Sequence, residues 1–116
     1  MQTYNGYANY ETWLVSVLID NNQDNIDLWV DVARHHYSIS EDRKYFTKKE
    51  EAIISFAEDM KEWYGDRVPD SVAVWHDDDE TIGVFWADLI RAALGSVDWH
   101  ELAGKYMEQA LENVEV

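Results

Sequence analysis

Several kinds of residue that mark functional sites are scarce or missing in this sequence, which has no cysteine, one proline and five glycines. Without cysteine, the chain has no disulfide framework, no thiol nucleophile and no cysteine-ligated zinc site. The few glycines form none of the glycine-rich loops that hold phosphates, and the sequence contains no nucleotide-binding or hydrolase motif. These absences favour a protein without a cofactor and without enzymatic activity.

Long hydrophobic runs are also missing. The longest apolar stretches are far below the roughly 20 residues that a membrane-spanning helix needs. The first residues, Met1 to Gly6, lack the basic and apolar regions of a signal peptide. We therefore expect a cytoplasmic protein that has no membrane partner.

Basic residues are few: 9 Lys and Arg stand against 24 Asp and Glu, so the net charge of the 116 residues is −15 at pH 7. The imbalance lies at the two ends. Residues 1–33 hold five acids and no base, residues 34–67 hold eight acids and seven bases, and residues 68–116 hold eleven acids and two bases. Such a surface repels nucleic acid and attracts proteins that bind polyanions. We expect a protein partner with a basic surface and no direct binding to nucleic acid.

What the sequence does contain is ample apolar material, with 47% hydrophobic and 14% aromatic residues. That content separates it from disordered acidic chains and is enough for one core. Apolar residues recur with helical spacing in five segments. The sequence therefore predicts an all-α, compact single domain over residues 1–116, with about five helices.

Capping residues predict where these helices begin and end. Thr47 and Glu50 form a capping box before the third helix, and Gly65 is placed to end it in a left-handed conformation. The predicted N-caps of the first, second and last helices are Asn9, Asp24 and Ser96.

The fourth helix, from Thr81 to Gly95, is apolar on nearly all its faces, which predicts that it is the central core helix. Just before it, the apolar run 72–75 fits either a short strand or one extra helical turn.

Tryptophans can stack on the bases of single-stranded nucleic acid. Trp13, Trp29 and Trp99 share positions with inward-facing residues of the predicted helices, so we interpret them as core residues. The sequence also has no basic groove to support base stacking.

Metal binding and histidine catalysis both find weak support. The run from His76 to Glu80 offers carboxylates for a hard cation, but adjacent acids point in different directions, which favours a solvated loop.

His35 and His36 are neighbours on a helix and diverge by about 100°, so they cannot share a metal. No Ser or Cys nucleophile lies at useful spacing from His100. We predict no metal site and no catalytic residue, and we interpret the histidines as surface residues.

The acids themselves are the remaining candidate. Carboxylates three and four residues apart on a helix repeat about every 5 to 6 Å on one face, close to the phosphate repeat of a nucleic-acid strand. The nearly balanced middle of the chain favours one such face over a wholly acidic surface. The residues predicted to form a partner-binding acidic face are Asp24, Asp27, Asp31, Asp77, Asp78, Asp79, Glu80, Glu108 and Glu112.

Two stretches resemble a family of small acidic bacterial, plasmid and phage proteins. Residues 4–13, YNGYANYETW, carry an N-Y-x-T-W signature, and residues 85–103 end in a V-x-W-x-E-L-A pattern. These signatures imply no reaction. Their apolar positions fit packing between the first and last helices at least as well as they fit a site.

Size, acidity and helical content also resemble the antirestriction DNA mimics of mobile elements, the Ocr and ArdA proteins. Those proteins occupy DNA-binding grooves of restriction enzymes and other defence complexes, commonly as dimers. The resemblance implies a non-enzymatic phage or plasmid inhibitor of a restriction or CRISPR nuclease, acting in the host cytoplasm and able to form a homodimer.

Two alternatives stay open. The chain could be a protein-interaction or regulatory module that binds through an exposed aromatic patch, with its acidity serving only solubility. It could also be a metal-dependent hydrolase that uses carboxylate ligands.

Overall fold

The computed structural model describes residues 3–69 and 80–112. Five α-helices occupy this part of the chain: α1 Tyr10–Asp20, α2 Gln23–Ile39, α3 Lys48–Asp66, α4 Glu80–Gly95 and α5 Trp99–Glu112. The described residues contain no strand, which confirms the predicted all-α fold of about five helices. None of these helices is long and apolar enough to cross a membrane. The run 72–75 lies outside the described residues.

Helices α2, α3 and α5 pack against one another in a three-helix bundle. Helix α5 supplies much of its centre, because its apolar residues share one face and its charged residues share the other. Helix α1 packs against α2 and α5, and α4 packs against α3. The large side chains that lie fully buried in this core are Phe56, Met60, Leu102, Tyr106 and Met107.

The prediction that α4 is the central core helix is wrong. Gly83 and Ala87 of α4 are buried, but most of its large apolar side chains are exposed. An apolar helix does not have to be central when small residues form its contact with the bundle. A narrow stripe of small residues is then enough for packing, and the large apolar side chains stay exposed. The central helix is α5, whose one-sided pattern lets it pack against α2 and α3 and still keep its acids on the outer side.

Two predicted cap sites are confirmed. Asn9 Oδ1 accepts a hydrogen bond from the Thr12 amide at 2.9 Å, and so caps α1. Thr47 and Glu50 form the predicted capping box at the start of α3. Both caps stand immediately before a clear helical pattern, so local sequence is enough to place them.

Three other helix boundaries differ from the prediction. Asn22, with an extended backbone, caps α2 by accepting from the Asp24 amide at 2.8 Å, so Asp24 already belongs to the first turn. Asp98 caps α5, because its side chain accepts a 3.0 Å hydrogen bond from the Glu101 amide. Glu101 is three residues after Asp98, the usual spacing for an N-cap, whereas Ser96 is too far from this amide to bond to it. Gly65 does not adopt a positive φ, and α3 continues past it.

The predicted core tryptophans are buried in two of three cases. Trp29 and Trp99 belong to the core, with 2% and 7% of their surface exposed. Trp13 is only half-buried and packs at the edge of the fold, with ring centroids 5.1 Å from Tyr4 and 5.8 Å from Tyr10.

Candidate functional site

The clearest concentration of charge lies on the paired helices α2 and α3. These helices run antiparallel, since Trp29 bonds to Tyr64 whereas His36 bonds to Ser55. Helix α5 packs against both from one side, and exposed carboxylates lie along the side that faces away from it. We call these seven residues the acidic face: Asp24, Asp27 and Asp31 of α2 and Glu58, Asp59, Glu62 and Asp66 of α3.

A groove of about 320 Å³ runs between the two helices of the acidic face. Its floor is aromatic, because Trp29 and Trp63 meet edge to face with ring centroids 5.5 Å apart. The guanidinium of Arg67 lies 3.7 Å from the centre of the Trp63 ring and donates to the Trp63 carbonyl at 2.9 Å. The groove is lined by Trp29, Val32, Asp59, Glu62, Trp63, Asp66 and Arg67.

Two arginines partly offset the charge of the acidic face. Arg34 pairs with Asp31 at 3.1 Å in an exposed position, where an ion pair contributes little to stability. Arg67 is the second base. Seven acids and these two bases sum to a net charge of −5, and Lys61, the other exposed base of this part of α3, lies on the side of α4 near Arg91.

Sequence reasoning missed the α3 half of this face because it counted residues 34–67 as nearly balanced. Within this range the bases Arg43, Lys44, Lys48 and Lys49 lie at or before the start of α3, whereas the acids 58, 59, 62 and 66 lie towards its end, where the bases are Lys61 and Arg67. The signal was present, since those acids recur three and four residues apart and must share one helical side.

The structure does not bring the nine predicted face residues together. The three acids of α2 lie on the acidic face. Glu108 and Glu112 are exposed on α5, on the other side of the bundle, where Glu108 is paired with Lys49. Asp77, Asp78 and Asp79 lie outside the described residues. Glu80 begins α4, and its side chain lies outside the described part as well.

His36 is buried, which corrects the prediction that it is a surface residue. Its Nδ1 lies 2.9 Å from Ser55 Oγ, and its Nε2 lies 2.5 Å from Asp59 Oδ2. The order Ser, His, Asp is that of a hydrolase triad, yet Ser55 lies inside α3, where helical hydrogen bonds engage the backbone amides that an oxyanion hole needs. The network joins α2 to α3 and holds Asp59 in place on the acidic face.

The polar residues of the two motif stretches bond to each other. Thr12 Oγ1 donates to Asn9 Oδ1 at 2.6 Å and accepts from the Asp98 amide at 2.8 Å. Asn9 Nδ2 donates to the Ser96 carbonyl at 2.6 Å, and the Ala8 amide donates to Glu101 Oε1 at 2.9 Å. The motifs therefore fasten the start of α1 to the turn between α4 and α5, which is a structural role.

A second polar cluster joins α1 to α5. Asp20 accepts from the Tyr106 hydroxyl at 2.8 Å and pairs with Lys105. Lys105 Nζ also donates to Ser16 Oγ at 2.6 Å. Burial raises the pKa of the Tyr106 phenol, and the hydrogen bond to Asp20 and the negative charge of Asp20 raise this pKa further. The polar groups of this cluster find their hydrogen-bond and ion-pair partners within it, so this cluster too links the helices.

One comparison with known proteins gives a match. A model described as a family of unknown function, DUF7249, matches residues 1–101. The chain belongs to the DUF7249 family. The matched range holds the whole acidic face, the first motif stretch and nearly all of the second. Comparison with curated proteins finds no match, and comparison with solved structures finds none.

Membership of DUF7249 assigns the chain no reaction. Over residues 3–69 and 80–112, no group of three or more His, Asp or Glu side chains could hold a metal ion. Of the features described, the acidic face is the one whose side chains are all exposed and of one sign.

Proposed function

We propose that this protein is a non-enzymatic inhibitor carried by a mobile element, a phage or plasmid, and directed against a host defence nuclease of the restriction or CRISPR type. It acts in the host cytoplasm as a DNA mimic, and its acidic face occupies the nucleic-acid-binding groove of the nuclease. The observation that carries the proposal is the pair of antiparallel helices with seven exposed carboxylates on one side.

The charge density of this face supports mimicry. The acids of α2 span positions 24 to 31 and those of α3 span positions 58 to 66. At 1.5 Å per residue, each row carries about one charge every 4 to 5 Å, whereas one strand of B-DNA carries one every 3.4 Å or so.

The aromatic floor of the groove adds a contact that phosphates alone do not offer. Arginine binds both carboxylates and aromatic faces, and nucleic-acid-binding grooves are rich in it. Arg67 over Trp63 already has this geometry. A partner arginine that displaces Arg67 from the ring would meet the same combination of ring and carboxylate. The likeness in size and acidity to the Ocr and ArdA proteins supports the same kind of target.

Phage plating provides the test in cells. The protein is expressed in one bacterial strain with a restriction system and in another with a CRISPR nuclease, and each strain is challenged with susceptible phage. We expect plating efficiency to rise in at least one of them. The double variant Glu58→Lys, Glu62→Lys should lose this protection.

The matched control is Glu41→Lys, Glu112→Lys, which changes the net charge equally at exposed acids away from the acidic face. It should protect as well as the wild type does. Equal protection by the two double variants would show that the acidic face is not the binding surface. Absence of protection in both strains would exclude inhibition of the two nucleases tested.

Binding in vitro separates this proposal from its first alternative. The complex with the purified nuclease should weaken steeply as salt increases, because charges on the two surfaces are screened, and duplex DNA should displace the protein. A complex that persists unchanged in about 0.5 M salt, where the screening length is only a few ångströms, would instead favour an apolar interaction module. The exposed face of α4 is the observation that keeps this alternative open.

A further inference from the structure

Helix α4 presents an apolar surface to solvent, and this surface has no part in the proposed function. Among the α4 side chains that the structure describes, five large ones are exposed: Val84 (42%), Phe85 (59%), Trp86 (45%), Leu89 (51%) and Ile90 (40%). They present roughly 500 Å² together, within the range of the largest apolar patch on a typical monomer, which is often functional. A patch of this size indicates an interaction surface.

The stripe that faces away from the bundle has the spacing of a helix-pairing seam. Phe85, Leu89 and Ala92 follow one another at intervals of four and three residues, and Trp86 and Ala93 lie beside them. All five are exposed, whereas the contact of α4 with the bundle uses the opposite side, around Gly83 and Ala87. Intervals of three and four residues keep such a stripe against a second helix along its length.

Side-chain size along this stripe favours a second copy of the same helix. The bulky end holds Phe85 and Trp86, whose rings pack edge to face with centroids 5.3 Å apart. The other end holds Ala92 and Ala93. Positions 85 and 93, and likewise 86 and 92, are equally distant from Leu89. A two-fold axis at Leu89 therefore places each large residue of one copy against a small residue of the other.

Charge favours the same partner. The chain carries −15 overall, so two copies repel each other over most of their surfaces. Between Thr81 and Val97 there is one acid, Asp88, and one base, Arg91, which pair at 3.4 Å. This stretch is therefore neutral, with the acids Glu80 and Asp98 only at its ends, so two copies repel each other less here than over most of their surfaces.

We propose that α4 is the contact surface of an antiparallel homodimer with its two-fold axis at Leu89. Pairing two such stripes covers Phe85, Trp86 and Leu89 of both copies, which gives an interface below the standard size. A dimer of this size dissociates on dilution. It does not depend on the acidic face, which lies on other helices.

Sedimentation equilibrium over a range of protein concentrations tests the dimer. We expect the wild type to pass from monomer to dimer as concentration rises, with stronger association at higher salt because screening reduces repulsion. Leu89→Glu should remain monomeric. The control Ile54→Glu adds the same charge at an apolar residue of α3 that is 43% exposed, and it should dimerise like the wild type.

Cysteine cross-linking tests the geometry, and the chain has no cysteine of its own to interfere. Leu89→Cys should cross-link to itself with a short bismaleimide. Phe85→Cys should cross-link when mixed with Ala93→Cys, but poorly with itself. A wild type that stays monomeric at all concentrations, equal association of Leu89→Glu and Ile54→Glu, or preferential self-linking of Phe85→Cys would each overturn the proposal. Salt-strengthened self-association is also distinct from the salt-weakened nuclease complex, so either proposal can fail alone.

Discussion

The Thr12 hydroxyl accepts a 2.8 Å hydrogen bond from the backbone amide of Asp98, 86 residues further along the chain. The same hydroxyl donates to Asn9 Oδ1, and the Thr12 side chain is fully buried. One side chain thus takes part in the start of α1 and in the turn that leads into α5. This explains why a threonine, rather than an apolar residue of the same shape, fits this position.

Replacing Thr12 by Val keeps the shape but removes both hydrogen bonds, leaving the Asp98 amide without this acceptor. We expect the free energy of unfolding to fall by about 1 to 3 kcal/mol, as for other buried groups left unsatisfied. Urea denaturation measures it. Thr3→Val, at an exposed threonine, is the control and should change stability little. Equal stability of the two variants would show that the link between the motifs contributes nothing.

The buried Tyr106 should make the fold sensitive to alkali. Its pKa is raised in the folded state by burial and by Asp20, so the unfolded chain releases this proton first, near the ordinary tyrosine pKa of about 10. The resulting stability is fully present below about pH 10 and is lost as the pH rises above it. Urea midpoints at a series of pH values should show this decline, and Tyr106→Phe should make it shallower.

The control for Tyr106→Phe is Tyr45→Phe, because the Tyr45 ring is 78% exposed. This control should keep the alkaline decline of the wild type. Burial also raises the pKa of Tyr64, so Tyr106→Phe should retain part of the decline. The same slope in both phenylalanine variants would contradict the assignment to Tyr106.

The His36 network should contribute substantially to stability. His36→Ala removes a buried ring that packs on Phe56 and leaves Ser55 and Asp59 without their shared partner. We expect a loss of about 2 to 4 kcal/mol, combining a cavity with broken hydrogen bonds. His35→Ala, at the exposed neighbour, should cost little. Thermal unfolding of the two variants gives the comparison. Similar melting temperatures would refute the prediction that the His36 network stabilises the fold.

The acidic face should destabilise the fold that carries it. Its carboxylates repel one another in the folded state, so raising the salt concentration should raise the urea midpoint. Glu58→Gln with Glu62→Gln should raise the low-salt midpoint and reduce its salt dependence, by less than about 1 kcal/mol because the acids are exposed. The control pair Glu41→Gln and Glu112→Gln should have a smaller effect. The opposite order would indicate that the acids of the face do not repel one another.

Local features of the sequence predicted the helices well and their burial less well. The caps at Asn9 and Thr47 depend on a few adjacent residues, and both are confirmed. The position of α4 depends on which helices pack together, and local hydrophobicity does not contain that information. Its apolar faces look the same whether it lies at the centre or at the side.

The candidate site was predictable only in part, for a similar reason. The spacing of Asp24, Asp27 and Asp31 predicts one exposed side of α2, and the structure has it. Which second row of acids lies beside that side depends on the pairing of α2 with α3. His36 could have been assigned to the interior, because it follows Trp29 and Ala33 by seven and three residues and so shares their buried side.

The stacking of Arg67 on Trp63 gives the groove an occupant of its own. An arginine from a partner would have to displace Arg67 from the ring before it could bind there. Arg67 is tethered to the same helix end, so its effective concentration at the ring is high. Arg67 thus acts as an internal competitor for the Trp63 ring. A partner with several basic groups can displace it, whereas a single free cation binds poorly.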